Sequence, residues 1–134
     1  MKRIVIPYNP RYPEAHTAIS KARFTVLVAH RRFGKTVLSV NHLLRAALTS
    51  RMERPSFAYI APFRNQAKAV AWDYLKHYSS VVEDRTVNES ELSIEFGNGA
   101  RIRIFGADNP DALRGLYFDG VVMDEVAQMR HEVW

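Results

Sequence analysis

An apolar run that breaks at a glycine–lysine–threonine and resumes as a helix constrains this chain more than any other feature. The run from Phe24 to Ala29 is short and almost continuous, the pattern of a strand buried on both faces. It stops in His30-Arg31-Arg32-Phe33-Gly34-Lys35-Thr36, after which Val37, Val40, Leu44, Ala47 and Leu48 recur at helical spacing. Strand, loop and helix are expected in that order. Measured against G-x-x-x-x-G-K-[ST], Ala29 to Thr36 matches every fixed position except the first, where alanine replaces glycine. Each part has a chemical reason. Backbone N–H groups of such a loop and of the helix start wrap phosphates, and the helix dipole favours their charge. Gly34 permits a backbone approach that a Cβ would obstruct. Lys35 is placed to reach the β- and γ-phosphates, and the Thr36 hydroxyl to ligate Mg2+. The alternative, a solvated lysine at a helix start, sets a positive charge against the macrodipole with no anion to offset it. His30, Arg31, Arg32, Phe33, Gly34, Lys35 and Thr36 are therefore expected to bind ATP.

A magnesium–phosphate site also needs a carboxylate at the end of a neighbouring strand, and hydrolysis needs a base or water-orienting group beside it. Gly120-Val121-Val122-Met123-Asp124-Glu125 offers both, at the end of what reads as a buried strand. Asp124 is the expected metal residue and Glu125 the expected catalytic one. Standing alone, the same run could be a strand entering a loop with solvated acids. The adjacent glutamate favours hydrolysis over phosphoryl transfer to a small substrate. Two arginines are further catalytic candidates: Arg31, inside the loop, and Arg114, which a neighbouring subunit could receive as an arginine finger. For each, the plainer reading is a surface or salt-bridged arginine.

Between these motifs, Ser56 to Ala61 reads as a second apolar strand closed by Pro62. A helix is expected from Asn65, with Ala67, Val70, Ala71, Tyr74, Leu75 and Tyr78 facing inward. Trp72 and the tyrosines read as packing residues in preference to a base-stacking platform. Strands followed by helices argue for a parallel sheet with right-handed crossovers. Leu92, Ile94 and Phe96 then alternate with polar residues, as do Ile102 and Ile104, around Gly97-Asn98-Gly99. That is a β-hairpin with one buried face, its turn supplied with positive-φ positions.

Composition narrows the classes. At 134 residues, with no internal repeat, low-complexity tract or linker, the chain is expected to be a single domain spanning 1–134. An apolar fraction of 47% and a charged fraction of 25% are those of an ordered globular protein. No apolar run approaches the roughly 18 to 20 residues of a membrane span. Pro7, Pro10 and Pro13 break any signal-peptide core in the opening segment. The absence of cysteine excludes a disulfide framework and a Cys-based zinc site, and fits a reducing cytoplasm. A net charge of +5 permits polyanionic partners without diagnosing them, since no basic run exceeds Arg31–Arg32.

The residues resemble those of the large terminase subunit of tailed bacteriophages, the ATPase–nuclease that packages viral DNA. Beyond the two nucleotide motifs, Tyr59-Ile60-Ala61-Pro62, Gln66-Ala67-Lys68 and Ala71-Trp72-Asp73-Tyr74 look like the segment after that family's second core strand. Phe96 to Gly99, Gly106 to Asp111, Leu113 to Leu116 and Asp119 to Glu125 look like later blocks of the family, in order. The resemblance runs from about residue 5 to Trp134, and the loop lacking its first glycine, with arginine before G-K-T, is itself a family trait. It implies a P-loop NTPase fold of the additional-strand, catalytic-glutamate class. The implied activity is ATP hydrolysis driving double-stranded DNA into a procapsid, with Mg2+ as cofactor. The implied partners are double-stranded DNA, portal protein, terminase small subunit and further copies of the chain in a ring. The implied setting is the host cytoplasm. The family's adenine-contacting segment would fall around Tyr8 to His16, where its usual glutamine is missing and Glu14, Ala15 and His16 stand nearby.

Family members continue into a coupling motif and an RNase H-like nuclease domain, neither of which is in this sequence. The expectation is thus an N-terminal ATPase segment ending after the Asp124–Glu125 strand, weak or inactive by itself. Two other readings are a helicase-like nucleic-acid-dependent ATPase, and a non-catalytic nucleotide-binding subunit.

Overall fold

The computed structural model describes residues 6, 8, 13–21, 25–26, 34–125 and 128–129. In chain order it comprises α1 (Pro13–Lys21), α2 (Lys35–Thr49), β1 (Ser56–Ala61), α3 (Arg64–Ala67), a π-helical segment Lys68–Trp72 and α4 (Asp73–Ser79). Then follow β2 (Thr86–Asn88), β3 (Ser93–Glu95), β4 (Arg101–Gly106), a 3-10 turn Pro110–Leu113 and β5 (Gly120–Met123). The strands make one five-stranded sheet of order β2-β3-β4-β1-β5. β1 pairs in parallel with β4 and with β5, whereas β3 pairs antiparallel with both β2 and β4.

β1 is apolar throughout because both its faces are covered. Phe57, Tyr59 and Ala61 enter the larger core with Val40, Leu44 and Ala47 of α2 and with Ala71, Trp72 and Leu75. Ala58 and Ile60 point to the opposite face, where they meet Phe105, Phe118 and Met123. The hairpin is as the alternation requires: Ile94 stands opposite Ile102, and Leu92, Ile94, Ile102 and Ile104 are all buried. Its turn needs only one left-handed residue, Gly99 at φ 87, and not the whole Gly97-Asn98-Gly99 triplet. Asn98 instead donates from Nδ2 to the carbonyl of Ala47, satisfying an acceptor in the last turn of α2.

The helix after β1 departs from its expected stripe. Ala67, Ala71 and Leu75 are buried, but Val70 and Tyr74 are 38% and 43% exposed, while Trp72 and Ser79 are buried. The cause is the π-helical segment. Its wider turn retards the rotation of every later residue, so the inward face passes to Trp72, Leu75 and Ser79. Trp72 packs in the core and donates its indole N–H to Glu89 at 2.7 Å. Strand β2 has no counterpart in the sequence reading, since three residues with a single apolar side chain, Val87, carry no alternation.

One strand expectation lies mostly outside the described residues and a second is corrected. Of the run Phe24 to Ala29, only Thr25 and Val26 are among the described residues. Neither is in a strand, no described strand pairs with them, and Val26 is 90% exposed. β5 is half buried where a buried strand was expected. Among the described residues it is an edge strand, and Val121, which shares a sheet face with Ala58, is 43% exposed.

Candidate phosphate and metal site

α2 begins at Lys35 because Gly34 turns the chain into it. Gly34 takes φ 81 and ψ 31, a left-handed conformation that costs glycine nothing, and its carbonyl accepts the first helical bond from Leu38 N–H at 3.0 Å. No acidic residue stands in the first turn of α2, so its N–H groups and dipole have no negative side chain of their own to face. Arg31, with His30, Arg32 and Phe33, lies outside the described residues.

The parallel register of β1 and β5 carries the carboxylates to the same place. Ile60 stands beside Met123, and the amide of Asp124 donates to the Ile60 carbonyl at 2.8 Å, extending the ladder one residue past β5. Lys35 Nζ then lies 3.0 Å from Glu125 Oε1 and 3.8 Å from Asp124 Oδ1. Residues from the two sequence motifs therefore meet as one cation between two carboxylates. Glu125 is held with a left-handed backbone, φ 55, a conformation that costs a non-glycine residue on the order of 1 kcal/mol. A cleft of about 220 Å³ opens beside this cluster, lined by Lys35, Leu38, Ser39, His42, Val121 to Asp124 and Ile19 of α1.

Tyr59 is a member of this cluster that sequence reading missed. Its side chain is 1% exposed and its hydroxyl donates to Asp124 Oδ2 at 2.6 Å. Burial, then the bond to Asp124 and that carboxylate's charge, hold the phenol well above its ordinary pKa, so it stays a donor. A signal was available: a tyrosine within a strand buried on both faces must find a partner for its hydroxyl.

Arg114 is not part of the cluster. Its side chain is 77% exposed and pairs with Asp111 Oδ1 at 3.3 Å within its own turn. Elsewhere, α1 is fastened to α2 by a second group that sequence reading did not find. His16 Nδ1 and His42 Nδ1 are 3.2 Å apart with their rings stacked, and Tyr8 Oη is 2.9 Å from His16 Nε2.

Among the described residues no group of three or more His, Cys, Asp or Glu could hold a metal by itself. The hard oxygen donors present, a threonine hydroxyl and one carboxylate, suit Mg2+, which keeps several waters and completes its shell with substrate phosphate. Among the described residues no helix is long and apolar enough to cross a membrane.

These elements define an α/β fold of the P-loop NTPase type, with a largely parallel core sheet and the glycine–lysine–threonine at the start of its principal helix. More particularly, it is the fold of the phage large-terminase ATPase domain. The chain superposes on the Thermus phage P74-26 large terminase ATPase domain with a TM-score of 0.72 at 20% identity, over 97% of this chain and 62% of that one. An arginine-to-alanine mutant of the same domain gives a TM-score of 0.68, again at 20% identity and over 97% and 62% of the two chains. The large terminase of another thermophilic bacteriophage gives 0.63 at 20% identity, over 77% of this chain and 27% of that one. The chain thus spans less than two thirds of the length of these structures. No protein-family model matches the sequence, and no curated protein matches it significantly.

Proposed function

We propose that this chain is the ATP-binding and ATP-hydrolysing segment of a phage large terminase, the motor that drives double-stranded viral DNA into a procapsid. The observation that carries this reading is Lys35 Nζ between Asp124 and Glu125, on a terminase ATPase fold. A lysine at a helix start that leans on two carboxylates is a cation ready to exchange them for phosphate oxygens. In the proposed cycle Lys35 binds the β- and γ-phosphates, and the N–H groups at the start of α2 take the remaining oxygens. Thr36 and Asp124 would hold Mg2+, which when bound neutralises charge developing on the phosphates. Lys35 leaves Glu125 as it takes phosphate, and the freed carboxylate orients and deprotonates the attacking water. Arg31 and Arg114 complete the proposal as charge-compensating residues, Arg114 from a neighbouring copy in a ring.

The partners in this reading are double-stranded DNA, portal protein and the terminase small subunit, in the host cytoplasm at the procapsid portal. The deciding experiment is equilibrium binding of ATP with Mg2+ to the wild-type chain and to Lys35→Ala. Binding by the wild type, weakened at least about tenfold in the variant, supports the reading. Equal binding by both, or by neither, refutes it.

A further inference from the structure

Resting on the proposed nucleotide reading, we infer that Tyr59 is a positioning residue of the metal site, holding the Asp124 carboxylate through its hydroxyl. The geometry is directional. Tyr59 passes its own proton to Asp124 Oδ2 at 2.6 Å. That contact has the length of a charge-assisted O–H···O⁻ bond. It occupies one carboxylate oxygen and fixes the plane of the group. Oδ1 is left on the Lys35 side, 3.8 Å from Nζ, where it can take a metal-bound water.

The supporting frame is rigid. Tyr59 sits in β1 between Ile104 of β4 and Val122 of β5, so both neighbouring strands fix its backbone. Its ring lies in the larger core, packed among apolar side chains. Val122 is two residues before Asp124, so the register of β1 against β5 sets how far the hydroxyl must reach. Metal sites lose affinity when the groups that orient their ligands are removed, even though those groups never touch the ion.

The test separates positioning from packing, and this inference from the reading beneath it. Tyr59→Phe keeps the ring and removes only the hydroxyl. ATP binding is measured by calorimetry with saturating Mg2+ and again in EDTA, together with the Mg2+ concentration at half-saturation. The expected result is a half-saturating Mg2+ concentration raised about tenfold, with metal-free binding within about twofold of wild type. An unchanged Mg2+ requirement overturns the inference, as does an equal loss with and without metal, which would mark a packing role. Wild-type chain that binds no nucleotide under either condition overturns the underlying reading and this inference together. Should Tyr59→Phe fail to fold, 3-fluorotyrosine at position 59 keeps the hydroxyl and reports by fluorine NMR. A resonance that moves with Mg2+ and ADP but not with ADP in EDTA supports positioning, and one indifferent to Mg2+ overturns it.

Discussion

Glu125 Oε1 lies 3.0 Å from Lys35 Nζ, so the residue expected to act on water is held by the residue expected to hold phosphate. Both side chains are partly exposed, at 38% and 30%. Such a pair contributes at most about 1 kcal/mol and yields readily to a better partner. In the proposed function ATP takes Lys35 from Glu125, which would tie release of the carboxylate to arrival of phosphate.

Glu125→Gln is therefore expected to raise ATP affinity about two- to fivefold, because an amide competes less well for the lysine. Hydrolysis in an assembly competent for turnover should fall by roughly 10² to 10⁴, the usual loss for a general base. Fluorescent-nucleotide titration and a phosphate-release assay check the two halves. Affinity that falls with turnover would show that Glu125 does not compete with phosphate for Lys35.

Trp72 and Tyr74 should differ sharply in their effect on stability, since the π-helical segment turns one inward and leaves the other 43% exposed. Trp72→Ala is expected to cost about 3 to 5 kcal/mol, against less than about 1 kcal/mol for Tyr74→Ala. Denaturant unfolding of both variants measures the difference. Comparable losses would mean that the expected helical stripe through Tyr74 is the buried one.

That helix marks where the sequence stopped being legible. Apolar spacing locates a helix after Pro62, but it assumes a constant 3.6-residue period that one wide turn cancels. The hairpin was readable because Ile94, Ile102 and Ile104 alternate strictly and register follows from alternation. Asp124 and Glu125 were readable as strand-end carboxylates, and they lie 3.8 and 3.0 Å from Lys35 Nζ. Tyr59 and the His16–His42 contact were not, because each is a hydrogen bond between residues far apart in sequence that no local period encodes. The half-exposed β5 was misread for a related reason: an apolar strand reads alike at an edge and at a centre.

Arg114→Ala is expected to leave fold and nucleotide binding intact, because the exposed Asp111 pair it breaks is worth little. If the residue serves a neighbouring copy, turnover in the assembled ring should fall by about 10³ or more. Mixing Arg114→Ala chains with Glu125→Gln chains then restores part of the activity, since some interfaces pair an intact glutamate with an intact arginine. Phosphate release across a series of mixing ratios checks this, and no restoration at any ratio defeats the trans assignment.

The His16–His42 contact predicts how stability depends on pH. One proton lies between the two Nδ1 atoms, so the bond survives with both imidazoles neutral and is lost when both are charged. Burial, reinforced by the Arg45 charge and for His42 by His16 itself, lowers the pKa of each ring from its ordinary value near 6.5. Among the described residues Tyr8, bonded to His16, supplies no negative charge at neutral pH, and Lys35 and Asp124 share a cleft with His42 as a cation and an anion. Below pH 6.5 the unfolded chain takes up these protons before the folded one does, so the unfolded state is favoured as pH falls. The contribution is therefore complete above about pH 7 and is lost progressively through the range between 6.5 and the lowered folded values. The exposed Glu89 carboxylate, lowered by its bonds from Trp72 and Lys76, acts in the same direction but only in the carboxylate range below. Denaturant midpoints measured from pH 8 to pH 5 should fall for the wild type and fall less for His42→Gln, which cannot charge. An equally steep fall in His42→Gln would place the acid sensitivity elsewhere than between α1 and α2.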